Sequence, residues 1–235
     1  MSDTPEKASS CDITAKSTCC SSEPSSKVEK DYKEHWNKAY SNSPMEKLGW
    51  FETDLTPSLD LIKKTGLATS AHILNVGSGS TILIDALLEL NYHNLIATDI
   101  SDVALNELRN RINKDDKVEF IQDDLTKPDK LRDVDSVDLW IDRAVLHFFN
   151  DIEDQKTYFD LVKSKIKVDG FVILAEFSIE GAAKCSGLDV FRYSKEMLAV
   201  HLGEDFELIE HFDYTYSMPS GDPRPYIYTL FKRIA

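Results

Sequence analysis

Ile73-Leu74-Asn75-Val76-Gly77-Ser78-Gly79-Ser80 is the stretch that decides the fold of this 235-residue sequence. A short apolar run closes on a Gly-x-Gly turn, and Ile82 to Leu90 follows with helical periodicity, so the segment reads as strand, tight turn and helix. Glycines there let the backbone approach a ligand closely, and the following helix offers free amides. The same alternation continues downstream. Leu95 to Asp99 is a second strand, Asp102 to Asn113 a helix, Val118 to Gln122 a third strand and Val137 to Asp142 a fourth. Ile152 to Ile166 is amphipathic, with Tyr158, Phe159, Leu161 and Val162 as its apolar stripe, and Phe171 to Phe177 is a continuous apolar strand suited to burial on both faces. A loop around Gly181 to Gly187 and a short helix from Ser194 to Leu202 precede two last strands, Phe206 to Tyr216 and Tyr226 to Arg233. Ser217 to Pro223 between them is too short for a crossover helix, so they pair antiparallel. The expected fold is α/β: a doubly wound, mostly parallel seven-stranded sheet with a C-terminal antiparallel hairpin and helices on both faces.

Upstream of the core, Tyr32, Trp36 and Tyr40 recur every four residues and place three aromatics on one helix face. A turn at Ser41 to Pro44, the run Leu48-Gly49-Trp50-Phe51 and a helix from Pro57 to about Lys64 complete a helical cap over residues 27–66, ahead of a core at 71–235. Residues 1–26 hold eight serines and almost no large apolar side chain, which is the composition of a disordered tail. Three of the four cysteines, Cys11, Cys19 and Cys20, lie there; the pattern is no disulfide scaffold, and no ligand set for a metal completes around them. A formal charge of −14 argues against nucleic-acid and anionic membrane partners. With no apolar run long enough to span a bilayer, no signal peptide and no arginine in the tail, the expected location is cytoplasmic.

Ligands of doubly wound sheets bind beyond the carboxyl ends of the strands, where Gly77-Ser78-Gly79 falls. Asp99 ends the second strand about 20 residues later, where a carboxylate accepts ribose hydroxyls, and Asp123-Asp124 after the third strand can accept from an adenine amino group. Together they outline an adenosine pocket. A redox dinucleotide site stays open on these features, although Thr81 occupies the place of the third glycine. The acidic lining suits a cationic nucleoside such as a sulfonium better than a pyrophosphate. His147, five residues after Asp142, is the candidate general base by its near-neutral pKa, unless Val145 to Phe149 is only a packed turn.

These segments, with Thr98-Asp99-Ile100-Ser101, Phe120 to Asp124, Asp138 to Asp142 and Gly170 to Ile173, arrive in the order of the motifs of class I S-adenosylmethionine-dependent methyltransferases, which the sequence resembles over about residues 30–235. The resemblance implies S-adenosyl-L-methionine as cofactor. It implies that Gly77, Ser78 and Gly79 underlie the methionine moiety, that Asp99 holds the ribose, that Ile100 packs on adenine, and that Asp124 and Leu125 meet its edge. Asp142 would face the methionine end and the methyl acceptor. Asn75 stands where an acidic residue is usual, and contacts the methionine amino group without a charge. Trp36, Trp50 and the Asp142-Arg143-Ala144 segment resemble thiopurine and thiol methyltransferase-like enzymes, which implies a small-molecule acceptor. A related lead-in in protein lysine methyltransferases leaves a basic protein target as the alternative, and a non-catalytic nucleoside-binding protein of the same fold as another. Trp36, Trp50, Arg143, Cys185 and Arg192 are the candidates for contact with the acceptor or for the lid, Arg192 by pairing with a carboxylate and Cys185 by lining the pocket.

Overall fold

The computed structural model describes residues 31–79, 81–113 and 115–235, so the expectation for the 1–26 tail lies outside the described residues. Strands β1 (His72–Val76), β2 (Asn94–Asp99), β3 (Val118–Gln122), β4 (Val137–Arg143) and β5 (Ile166–Phe177) alternate with helices α3 (Leu83–Glu89), α4 (Asp102–Ile112) and α5 (Ile152–Lys165). Helices α1 (Tyr32–Asn42) and α2 (Thr56–Thr65) precede them. A two-residue hairpin, β6 (Lys184–Cys185) and β7 (Leu188–Asp189), then helix α6 (Lys195–Leu202) and strands β8 (Phe206–Ser217) and β9 (Pro223–Arg233) follow. The main sheet has seven strands in the order β3-β2-β1-β4-β5-β9-β8. All neighbours are parallel except those of β9, which runs antiparallel to both β5 and β8. This is the doubly wound sheet the strand and helix alternation predicts.

The pattern follows from which faces are covered. β1 has Ile73, Leu74 and Val76 all buried, because helices pack on both sides of a central parallel strand. Strand order reverses beside β1, with β2 and β3 on one flank and β4 and β5 on the other. That reversal opens a crevice at the carboxyl ends of β1 and β4. Capping fixes the helices that border it: the Ser101 side chain accepts from the Ala104 amide at the start of α4, and Asp151 does the same for Glu153 at α5.

Two boundaries differ from the sequence reading. β5 begins at Ile166, directly after α5, although Lys167, Val168 and Asp169 that follow are exposed. The pairing with β4 slips between Val137 and Leu139, and Gly170 permits it: a Cβ there would lie 2.8 Å from the Lys167 carbonyl. The last hairpin is also tighter than a seven-residue loop, because Met218 and Asp222 pair across Gly221, whose φ is +89°.

Candidate cofactor and acceptor site

The crevice is a cleft open to solvent. One end is built from the turns after β1, β2 and β3. Gly77 has φ +60°, and a Cβ on it would meet Val145 Cγ2 at 2.2 Å, so the β1 turn and the segment after β4 touch across the cleft with no room for a side chain. The Ser78 amide donates to the Thr98 carbonyl at 3.1 Å. The Gly79 amide donates to Asp99 Oδ2 at 3.1 Å, and Ser101 N donates to Asp99 Oδ1 at 2.8 Å. Asp99 therefore braces the glycine turn while lining the cavity. Its burial lifts the carboxyl pKa from 3.8 to about 6, against the pull of the Ser101 and Gly79 hydrogen bonds. Thr98 Oγ1, in the same wall, is buried and unpartnered.

The two aspartates after β3 divide the work. Asp123 accepts from the amides of Asp124, Asp129 and Leu131, and so shapes its own loop. Asp124 accepts from the amide and hydroxyl of Thr126, and lines the cavity with Ile100 and Leu125. Asn75 also lines it. Ser78 and Gly79 do not: Ser78 is fully buried, and Gly79 packs against Ala104.

Helix α1 supplies the opposite wall. Its sequence spacing puts Tyr32, Trp36 and Tyr40 on the cavity side, with Trp36 edge-on to Trp50 at 5.3 Å and to Phe148 at 4.9 Å. Asn37 pins the helix to the start of α4, accepting from Ser101 Oγ at 2.6 Å and donating to Asp102 at 2.7 Å.

Beyond Trp50 the cavity is lined by Glu52, Ser58, Arg143 and Cys185. Arg143 Nε lies 2.8 Å from Glu52 Oε2 in an ion pair and donates to the Tyr228 hydroxyl at 3.1 Å, and Nη1 donates to the Trp50 carbonyl at 3.2 Å. The guanidinium stands 5.0 Å from the ring centres of both Tyr216 and Tyr226. Glu52 was not among the residues the sequence singled out. An acid directly after the apolar run Leu48 to Phe51, yet still short of the helix start at Pro57, was the signal available.

Three further expected site residues lie outside the cavity lining. Asp142 is fully buried behind the turn after β4, where its oxygens accept from the amides of Val145 and Leu146 and from the Tyr158 hydroxyl. His147 is also fully buried: Nδ1 is 2.8 Å from Glu176 Oε2, and the ring stacks on Phe177 at 4.3 Å. Burial, with the charges of Arg143 and Arg224, lowers its pKa to about 3, so the ring is neutral and walled off from an acceptor in the cavity. Burial and the Asp142 charge raise Glu176 well above the usual carboxylate range, and burial holds Asp142 at about 6. Arg192 donates to the carbonyls of Ile179 and Gly181 and thereby clamps the loop after β5. Turn amides and the Tyr158 hydroxyl engage Asp142, backbone carbonyls engage Arg192, and the distant Glu176 carboxylate engages His147.

The Asp142 network is structural, which gives a direct test. Tyr158 donates to Asp142 at 2.6 Å and accepts from Trp140 Nε1 at 3.1 Å, all within the core. Tyr158→Phe strands both partners and is expected to cost about 2 kcal/mol of stability, read by urea unfolding. An unchanged midpoint would show that neither bond contributes.

Residues 74–174 match the family described as methyltransferase domain. None of the curated proteins compared matches the sequence. Among solved structures, an S-adenosylmethionine-dependent methyltransferase from Anabaena variabilis superposes with a TM-score of 0.69 at 14% identity, over 86% of this chain and 93% of its own. A 1,6-didemethyltoxoflavin-N1-methyltransferase from Burkholderia thailandensis, with 1,6-didemethyltoxoflavin and S-adenosylhomocysteine bound, gives 0.61 at 16% identity, covering 86% and 84%. The N-methyltransferase NodS from Bradyrhizobium japonicum, in complex with S-adenosylhomocysteine, gives 0.55 at 14% identity over 74% and 84%. At these identities the likeness is one of fold. Among the described residues no helix is long and apolar enough to cross a membrane. Residues 74–174 thus match a methyltransferase domain, and the chain shares the fold of solved S-adenosylmethionine-dependent methyltransferases.

Proposed function

We propose that the protein transfers a methyl group to a small molecule bound at the Trp50, Glu52, Arg143 and Cys185 end of the cavity. The cofactor is S-adenosylmethionine, and the residues present fit it. Gly77 lines the cavity with bare backbone, Thr98 Oγ1 is an orphaned buried donor facing the same space, and Asp99 and Asp124 make the wall acidic, as a cationic nucleoside requires. When bound, the sulfonium supplies an electrophilic methyl group. The chain's own residues then bind and orient: Asp99 takes the ribose hydroxyls, Ile100 and Leu125 flank the adenine, Asp124 accepts at its edge, and Asn75 meets the methionine end. Trp36, Trp50 and Phe148 exclude water from the far side.

The observation that carries the reading is Asp99, which lines the cleft at the sheet's switch point while its carboxylate braces the glycine turn. The neighbour from B. thailandensis binds a small molecule beside its S-adenosylhomocysteine, which supports the same acceptor class here. Incubation of the pure protein with methyl-labelled cofactor and a cell extract, then separated by size, is expected to place label in the small-molecule fraction. Label in the protein fraction alone would overturn the acceptor class; label in neither, despite cofactor binding, would overturn catalysis.

A further inference from the structure

We propose that Glu52 and Arg143 together recognise an uncharged, planar acceptor that presents a hydrogen-bond donor beside a hydrogen-bond acceptor, as the edge of a cyclic amide does. The inference rests on the function proposed above and specifies its substrate class. Glu52 Oε1 and Arg143 Nη2 are both buried and without a hydrogen-bond partner, although the other nitrogens of Arg143 and the other oxygen of Glu52 are all engaged. One orphan is an acceptor and the other a donor, on two side chains joined by a 2.8 Å ion pair in the wall of one cavity. Buried polar atoms left unmatched are costly, and a ligand edge with N–H next to C=O satisfies both at once.

Charge selects among polar ligands. Glu52 already neutralises Arg143, so a carboxylate would set two anions against one cation, and an ammonium would meet the guanidinium as well as the carboxylate. Cys185, in the same wall, adds no charge, since burial pushes its thiol pKa up. The other groups facing Arg143 are the rings of Tyr216 and Tyr226 and the Tyr228 hydroxyl, all neutral and each with its pKa raised by burial. Trp36, Trp50 and Phe148 give the rest of this region aromatic surface, which fits the flat face of an unsaturated ring better than a saturated chain.

The test uses the full chain saturated with S-adenosylhomocysteine and titrated calorimetrically with 2-pyridone, benzoate and benzylamine. 2-Pyridone is expected to bind about tenfold or more tightly than either ion. Glu52→Gln leaves Arg143 unneutralised and is expected to reverse the order, benzoate gaining and 2-pyridone losing about tenfold each, with S-adenosylhomocysteine affinity unchanged. Benzoate or benzylamine matching 2-pyridone on the unmodified protein, no 2-pyridone binding below about 10 mM, or an unchanged order in Glu52→Gln would each overturn the proposal. Should Glu52→Gln fail to fold, the ranking on the unmodified protein decides alone. Failure of S-adenosylhomocysteine itself to bind would instead overturn the cofactor assignment, so the two readings fail separately.

Discussion

Asp99→Ala is expected to weaken S-adenosylhomocysteine binding by about 100-fold or more at about pH 7.5, measured by calorimetry. The side chain has two tasks that fail together. In the proposed function it accepts the ribose hydroxyls, and it accepts from the amides of Gly79 and Ser101, which fix the turns after β1 and β2. Asp99→Asn separates the tasks, since an amide still accepts one hydrogen bond from those turns. The displacement of the Asp99 pKa from 3.8 to about 6 means that the buried charge costs about 3 kcal/mol at neutral pH. Asp99→Asn is therefore expected to raise the melting temperature of the ligand-free protein while lowering ligand affinity. The pH dependence has a definite sign. With its folded pKa raised, the native state holds this proton between about pH 4 and 6 while the unfolded chain does not, so the group's contribution to stability grows as pH falls through that window. Ligand affinity falls over the same range, because the protonated carboxyl loses acceptor capacity. Affinity that holds constant from about pH 7.5 to 5 would refute the assignment of Asp99 to the ligand.

Gly79→Ala is expected to destabilise the protein by about 3 kcal/mol and lower its melting temperature by about 6 to 12 °C. A Cβ at this position would lie 2.2 Å from Ala104 Cβ, 3.2 Å from Ala104 Cα and 3.0 Å from Asp99 Oδ2. Ala104 belongs to α4 and is fully buried, in a cluster with Tyr40 and Leu48. No flexible side-chain end is available to swing away, so the helix backbone itself must shift, and with it the contact through which Asn37 holds α1. Gly187 is the control: a Cβ there meets nothing within 4 Å, and alanine suffers only the strain of φ +76°. A Gly79→Ala melting temperature within about 2 °C of the unmodified protein would show that α4 yields freely.

How much of this the sequence carried depends on what each residue answers to. The central strands β1, β2 and β4 were legible almost to the residue because burial on both faces demands near-continuous apolar runs, as in Ile73-Leu74 and Leu139 to Ile141. The start of β5 was not, because Lys167, Val168 and Asp169 are exposed and fall in the irregularity between the Ile166 and Phe171 pairings with β4, so no apolar run marks them as strand. At the site, Asp99 and Asp124 were legible from the ends of strands, where topology delivers a side chain to the crevice, whereas Ile100 and Leu125, which also line it, came only from the family resemblance. Asp142 also ends a strand, yet two amides of the following turn and the Tyr158 hydroxyl draw it inward. His147 follows it into the core through Glu176, which lies 29 residues away on β5, a distance no local pattern reports. Glu52 shows the converse: its partner Arg143 is 91 residues distant, so only the folded chain reveals that an acid beside Phe51 is buried.

The position of β9 in the sheet bears on how the fold is reached. β5 is fully buried along its apolar half, and its outer neighbour is β9, the strand latest in the sequence, with β8 outside that. Between the synthesis of Phe177 and that of Pro223, the growing chain holds an apolar strand whose edge has nothing native to pair with. The preceding β-hairpin arm cannot substitute, because β8 joins the sheet only through β9. Closure of the sheet is thus a late, non-local step with a large sequence separation, the class of contact that slows folding and exposes nascent chains to misassociation. Any loss of residues 223–233 would leave two elements unpaired instead of one.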